Sequence, residues 1–318
     1  MTVGRAGGSR VRTVFLGSGG FGVEALRRLA GHPDVDLVGV VTAPPRPAGR
    51  RQQITPTPIE TAARVLGDLA LLTPARLRTP EAVASVAELR ADLAVLADYG
   101  QLVPAALLGF RHGALNLHPS LLPRHRGAVP IPAAILAGDP ETGVTLMQMD
   151  EGLDTGPIVA QQRVPLRGTE TAPSLEGALA LVAAELLGGT VAPWLRGEIA
   201  ARPQPADGAT LTRPLRRDDG RLDPARSAVE LERQVRAYQP WPGSFIDMDL
   251  GRIVVWGATV GPATAATPGT FGVDGLATAD GQLRLHEVQP AGGTRMPWEA
   301  FWRGHPRIIG SAALASDP

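Results

Sequence analysis

Strand-like and helix-like segments alternate along the first two-thirds of this sequence, and this alternation restricts the possible folds more than any other feature. An apolar, β-branched segment at 11–16 is followed by a Gly-rich turn and a helical pattern up to residue 30. Further strands are predicted at 36–41, 69–72, 92–97, 114–118 and 143–149, and further helices at 59–66, 80–90 and 171–187. Such alternation predicts an α/β fold with a mostly parallel sheet covered by helices on both faces.

The pattern changes after the segment 197–208, where Pro203, Pro205 and Gly208 indicate a linker. One helical segment at 228–237 follows, with several short strand patterns separated by Gly and Pro turns. The sequence therefore predicts a first domain at 1–200, a linker at 201–210 and a smaller, mostly β domain at 211–318. A β-barrel is the expected architecture of this second domain.

Composition excludes several kinds of chemistry. The 318-residue chain has no Cys, and all 31 of its basic residues are Arg. It therefore has no thiol nucleophile, thiolate metal site, Schiff-base lysine or phosphate-loop lysine. The 31 acidic residues balance the basic charge, so the chain as a whole has no electrostatic preference for nucleic acid. No secretory signal or membrane-spanning apolar run is recognised, so a cytoplasmic protein with no membrane partner is expected.

The Gly-rich turn after the first strand resembles a dinucleotide-binding motif. Gly17, Gly19 and Gly22 fit the pattern G-x-G-x-x-G. Such a site also needs an acid at the end of the second strand to bind the ribose, but that strand continues into Thr42, and Asp36 lies at its beginning. The sequence therefore favours a tight strand–helix turn over a nicotinamide site.

Two polar side chains end the strand predicted at 114–118. Asn116 and His118 are two residues apart, so they face the same side of a strand. An amide beside an imidazole can stabilise the oxyanion that forms when a carbonyl carbon becomes tetrahedral. A capping Asn and a surface His fit the same spacing equally well. Asp154 lies in a Gly-rich loop that follows the next strand. This loop suits a solvated turn, a metal-binding loop or an acid that orients a histidine. The spacing of its acids does not match a calcium loop, and no metal is expected.

Arginines cluster in two places. Arg46, Arg50 and Arg51 lie in a Pro/Gly loop without acids, whereas the cluster at 213–221 is interleaved with acids. Because exposed Arg is usually just solvated, either cluster alone is weak evidence for a phosphate-binding surface.

Two longer motifs resemble the folate-dependent formyltransferases. They are N-L-H-P-S-L-L-P-R-H-R-G at 116–127 and M-D-E-G-L-D-T-G at 149–156. The loop P-P-R-P-A-G-R at 44–50, Tyr99-Gly100 and the segment 237–243 resemble the family as well. The resemblance implies a Rossmann-like formyltransferase domain followed by an OB-like barrel that helps to hold tRNA.

The same resemblance implies an activity. A formyl group would pass from 10-formyltetrahydrofolate to the α-amino group of methionine on the initiator tRNA, for translation initiation. The family's catalytic residues fall on Asn116, His118 and Asp154. Its folate-binding loop falls on Ser120, Leu121, Leu122 and Pro123, and its tRNA-contacting loop on Arg46, Arg50 and Arg51. A monomer is expected.

In the implied mechanism, Asn116 and His118 stabilise the oxyanion, and His118 helps to protonate the departing folate nitrogen. Asp154 favours the cationic form of His118 and accepts the proton of the amine. The alternatives are formylation of an amino sugar or another small amine, a nicotinamide oxidoreductase, and a non-catalytic RNA-binding protein. Three features depart from the family: Arg51 follows Arg50 where the family often has Lys, Asp98 replaces a frequent Ala before Tyr-Gly, and the second domain is formally neutral.

Overall fold

A computed structural model describes residues 10–48 and 52–314 of the chain. The chain divides into two compact units. The first contains most of the chain up to residue 212, and the second contains residues from 213 onward together with 131–140 and 166–175.

The strands of the first unit, numbered along the chain, are β1 (Val11–Gly17), β2 (Val35–Val41), β3 (Arg46–Ala48), β4 (Gln53–Thr55), β5 (Ala70–Leu72), β6 (Leu93–Ala97), β7 (Ala114–His118), β8 (Arg126–Gly127), β9 (Glu141–Gln148), β10 (Ile158–Pro165) and β11 (Leu211–Thr212). Seven of them form one sheet in the order β10-β9-β7-β6-β1-β2-β5. The five strands from β7 to β5 run parallel, and β9 is antiparallel to both of its neighbours, β7 and β10. The mostly parallel sheet expected from the sequence is confirmed.

The strand order reverses between β1 and β6, one strand away from the strand that carries Asn116 and His118. The chain moves outward from β1 to β2 and β5 on one side, and from β6 to β7 on the other. Ligands of such sheets bind beyond the carboxyl ends of the strands at this reversal of order. The carboxyl end of β7 adjoins that of β6, where Leu117 pairs with Ala97.

Helices connect the strands: α1 (Val23–Ala30), α2 (Pro58–Val65), α3 (Pro80–Glu88), α4 (Pro130–Ala137) and α5 (Ala172–Leu195). Two of these helices begin at a Thr-Pro pair, a helix-start signal that is visible in the sequence. The hydroxyls of Thr57 and Thr79 accept backbone N–H groups of the first turns of α2 and α3, and proline follows each at the first helical position. A cap of this kind contributes about 1 kcal/mol to helix stability.

Helix α5 is longer than the helix predicted at 171–187. It has 24 residues and a mean hydropathy of 1.6, so its length and composition also suit a membrane span, which the sequence analysis had not recognised. Core helices of soluble proteins meet the same criteria. Leu179, Ala183, Leu187 and Val191 recur every four residues and are fully buried, so they form one face packed into the core.

The second unit has its own sheet and core. Its elements are α6 (Ala228–Ala237), β12 (Ser244–Ile246), β13 (Ile253–Gly261), β14 (Phe271–Gly272), β15 (Gly275–Ala277), β16 (Gln282–Pro290), β17 (Met296–Pro297) and α7 (Trp298–Gly304). The sheet order is β12-β13-β16-β15-β14, with β17 on β16. Helix α6 packs on β13, and Leu231, Val235, Val255, Phe271 and Trp298 are among the buried residues. A separate, mostly β unit is therefore confirmed, whereas its closure into an OB-like barrel stays a prediction.

Candidate active site

Asn116 and His118 are among the last three residues of β7, a central strand of the first sheet. Asn116 is half-buried, and its side-chain amide makes no hydrogen bond to any residue that the structure describes. The His118 side chain is 5 % exposed. Pro119 follows directly; it keeps His118 extended and has no N–H to donate to a neighbouring strand, so the strand ends with both side chains at the carboxyl edge of the sheet.

The two nitrogens of the His118 ring have different partners. Nε2 lies 2.9 Å from the backbone oxygen of His125, and Nδ1 lies 3.7 Å from Oδ2 of Asp154. A carbonyl oxygen can only accept a hydrogen bond, so Nε2 carries the proton. In the neutral ring, Nδ1 therefore presents its lone pair on the side of Asp154.

The surroundings of His118 keep its ring neutral. Burial lowers the pKa of His118 below its usual value, and the neighbouring His125 adds to this effect. The negative charge of Asp154 and the carbonyl of His125 oppose it without reversing it. The ring is therefore an unprotonated base at neutral pH, with a carboxylate placed to stabilise its cation.

Asp154 is held by backbone geometry. Its Oδ2 accepts the N–H of Gly127 at 2.8 Å, and the residue has a left-handed φ of 53°. The side chain is 14 % exposed. The loop thus presents the carboxylate to His118 in one fixed orientation.

Glycines allow the Asp154 loop to fold this tightly. The carboxylate of Asp150 accepts hydrogen bonds from the N–H of Gly152 and the hydroxyl of Thr155. A Cβ on Gly156 would lie 1.8 Å from the backbone oxygen of Gln148. No larger residue fits at position 156 without a backbone shift.

The predicted folate loop is largely buried. Ser120 is fully buried and donates its hydroxyl hydrogen bond to the backbone oxygen of Arg124 at 2.7 Å. Leu122 and Pro123 are buried, and Leu121 is half-buried. In the described structure these residues therefore shape the turn after β7, and their contact with folate stays a prediction.

A cavity of about 470 Å³ borders this loop. Its wall includes Leu121, Leu122 and Pro123 and the side chains of Arg163 and Arg202. The volume is in the range of small-molecule sites. Asn116, His118 and Asp154 are not among the described residues that line it, so a ligand confined to this cavity would touch the loop without reaching these three side chains.

The arginine loop forms a hairpin of β3 and β4, in which Arg46 pairs with Thr55. Arg46 is exposed. Arg50 and Arg51 lie outside the described residues.

Carboxylates fill the Gly-rich turn after β1. A Cβ on Gly19 would lie 1.5 Å from Oδ2 of Asp98, and one on Gly20 would lie 2.8 Å from Oε1 of Glu176. Desolvation raises the pKa of Asp98, and desolvation and the charge of Asp98 raise the pKa of Glu176. Two acids here would repel a pyrophosphate, which agrees with the sequence-based argument against a nicotinamide site.

Sequence reasoning missed the groups that orient the predicted catalytic side chains. The carbonyl of His125 and the N–H of Gly127 are backbone groups and leave no side-chain signature. Thr210, in the segment predicted as a linker, accepts the N–H of His125 through its hydroxyl at 2.7 Å and the N–H of Arg126 through its carbonyl at 2.9 Å. Among residues 10–48 and 52–314, no group of three or more His, Asp or Glu side chains is arranged to hold a metal ion.

Comparison with known families matches both units. The family model described as formyl transferase matches residues 11–190, and the model of the formyl transferase C-terminal domain matches residues 214–306. A methionyl-tRNA formyltransferase of Gluconacetobacter diazotrophicus is 47% identical over 95% of this chain and 99% of its own length. One from Symbiobacterium thermophilum is 43% identical over 92% of each chain.

Solved structures share the fold at lower identity. HypX from Aquifex aeolicus in complex with tetrahydrofolic acid superposes with a TM-score of 0.60 and 17% identity over 95% of this chain. The chain spans about half of HypX, 48% of its length. A sugar N-formyltransferase from a Shewanella species gives a TM-score of 0.59 and 16% identity over 77% of this chain and 96% of its own.

Proposed function

Since the chain belongs to the formyl transferase family, we propose that it transfers a formyl group from 10-formyltetrahydrofolate to the α-amino group of methionyl initiator tRNA. The observation that carries this proposal is the 47% identity to a methionyl-tRNA formyltransferase over 95% of the chain, which includes the second unit. The sugar N-formyltransferase shares the fold at only 16% identity. The product would be N-formylmethionyl-tRNA for translation initiation.

His118 is the proposed proton carrier. The methionine amine attacks the formyl carbon and gives its proton to Nδ1 of the neutral His118 ring. Asp154, whose Oδ2 lies 3.7 Å from that nitrogen, stabilises the imidazolium that results. The ring then returns the proton to the departing folate nitrogen, so the enzyme ends the reaction unchanged. This path differs from the sequence-based expectation, in which Asp154 accepted the amine proton, because burial leaves His118 neutral and Nδ1 unprotonated.

Asn116 is the proposed oxyanion donor. Its amide is free of partners among the described residues and projects from the same edge as His118. A donor aimed at the developing oxyanion commonly lowers the barrier by about 3–4 kcal/mol. The imidazolium of His118 adds a positive charge nearby at the same moment.

The proposed substrate contacts are those that the resemblance to the family implies. We assign the formyl donor to the carboxyl edge of the sheet beside Ser120, Leu121, Leu122 and Pro123. The acceptor tRNA is assigned to Arg46, Arg50 and Arg51, whose guanidinium groups suit bidentate phosphate contacts.

The domain organisation also remains part of the proposal: a catalytic domain at 1–200, a linker at 201–210 and a tRNA-binding barrel at 211–318. We propose a cytoplasmic monomer, which predicts a solution mass of 33.2 kDa by light scattering.

One experiment separates this function from its nearest rival. Purified protein is incubated with 10-formyltetrahydrofolate and, in separate reactions, methionyl initiator tRNA, uncharged initiator tRNA and nucleotide-linked amino sugars. We expect formylation of the charged tRNA alone. Formylation of an amino sugar without formylation of the tRNA would overturn the proposal.

A further inference from the structure

Gln204 connects the catalytic loop to the rest of the active site. Its Nε2 donates to the backbone oxygens of Asp154 and Gly156, both at 2.8 Å. Its Oε1 accepts from Nε and Nη2 of Arg126, at 3.1 and 2.7 Å. Carbonyls only accept and guanidinium groups only donate, so this network determines which end of the amide is oxygen.

The hydrogen-bonding capacity of the Gln204 side chain is fully used, and the side chain lies between two loops of the proposed active site. Both N–H groups and both acceptor positions of the amide are used. On one side is the loop that carries Asp154, and on the other is Arg126, whose neighbour Gly127 donates its N–H to the Asp154 carboxylate. The Gln204 amide therefore fixes the distance between the two segments that together aim this carboxylate.

Gln204 is itself anchored on both sides. The N–H and carbonyl of Arg202 pair with Ile158 at 2.8 and 2.7 Å. Further along, Leu211 and Thr212 pair with Arg126 and Gly127 as β11 and β8. A residue in the segment that looked like a flexible connection is thus held rigidly enough to support the loop.

We propose that Gln204 is a positioning residue for formyl transfer, which acts by holding the Asp154 carboxylate against His118. This inference rests on the proposed function for its kinetic consequence. It assigns a role in catalysis to a segment of the first unit whose composition predicts only a linker.

Two substitutions separate the contacts of Gln204. Gln204→Ala removes all of them. Gln204→Glu keeps acceptor oxygens for Arg126 but turns another acceptor toward the carbonyls of Asp154 and Gly156, so it specifically breaks the contact with the loop. Gln162→Ala is the matched control, because Gln162 is exposed and its amide bonds, among the residues that the structure describes, only to the carbonyl of Arg163.

We expect kcat to fall roughly 10- to 100-fold in both Gln204 variants, since a displacement of about 1 Å can cost as much as 100-fold. KM for the charged tRNA should stay within about twofold, and Gln162→Ala should behave as the wild type. If Gln204 acts through Asp154, then Gln204→Ala should have little further effect in an Asp154→Asn background. A multiplicative loss in the double variant, or a wild-type kcat in Gln204→Glu, would overturn the inference.

A substrate-free measurement distinguishes this inference from the proposed function. Titration of ¹⁵N-labelled histidine by NMR follows the His118 ring directly. Displacing Asp154 removes a contribution that raises the pKa of His118, so this pKa should be lower in Gln204→Ala and Gln204→Glu than in the wild type. An unchanged pKa would refute the positioning role whichever amine the enzyme formylates, whereas wild-type protein inactive toward tRNA would refute only the proposed function.

Discussion

Replacing Asp154 by Asn removes the charge that the proposed mechanism needs and preserves the shape of the side chain. The carboxylate lies 3.7 Å from Nδ1 of His118. At this distance, with an effective dielectric constant of about 20, its attraction to an imidazolium is roughly 4 kcal/mol. The charge pair exists only after His118 has taken the proton, so most of this energy is lost from the transition state. We expect the rate of the chemical step to fall by about 10³-fold.

The assay is a single-turnover reaction with enzyme in excess over formyl donor and methionyl initiator tRNA, followed by rapid quench. Glu151→Gln is the control, because it removes one charge from the exposed part of the same loop. Its rate should match that of the wild type, and both variants should unfold at similar temperatures.

The pH dependence supplies the second test. His118 must be neutral to accept a proton, so the rate falls as the pH drops through its pKa. Asp154 raises that pKa, so Asp154→Asn should shift the low-pH limb toward lower pH. The substrate amine titrates identically in both enzymes and cancels from the comparison. A loss smaller than about tenfold, or a limb that moves to higher pH, would refute the roles assigned to Asp154 and His118.

Three further predictions concern binding and stability. Arg46→Ala should reduce the slope of log affinity for tRNA against log salt concentration by about one. The control Arg27→Ala, which changes an exposed ion pair on a helix, should leave this slope unchanged. Equal slopes for Arg46→Ala and the wild type would count against the arginine loop. Gly156→Ala should destabilise the protein by roughly 1–3 kcal/mol through its backbone clash, while Gly177→Ala, in open space on α5, should stabilise it by up to about 1 kcal/mol, as measured by chemical denaturation. Because the pKa of Asp98 is raised, this carboxyl contributes stability at low pH that is lost as the pH rises. Asp98→Asn should therefore raise the melting temperature at pH 7 but not at a pH below 3.8, the usual pKa of the group. Equal changes of the melting temperature at the two pH values would contradict this.

The sequence by itself determined the architecture and the chemical groups. Alternating periodicity and Thr-Pro helix starts are local properties, so β1, β7 and the helices α2 and α3 begin or end close to the predicted residues. The two-residue spacing of Asn116 and His118 was sufficient to place both on one face of a strand, because side-chain direction in a strand alternates. The antiparallel β10 and helix α4 were not predicted.

Only the tertiary structure decided how these groups work. The ring nitrogen of His118 that carries the proton depends on the carbonyl of His125, and the aim of Asp154 depends on the N–H of Gly127. Backbone groups are the same in every residue and leave no mark in a sequence. Gln204 does have a side chain, but it lies 50 residues from Asp154 and in a segment whose composition indicates a connection. Its four hydrogen bonds exist only because the folded chain brings the segment beside the loops of Arg126 and Asp154, and contacts between residues so far apart in sequence are properties of the packing alone.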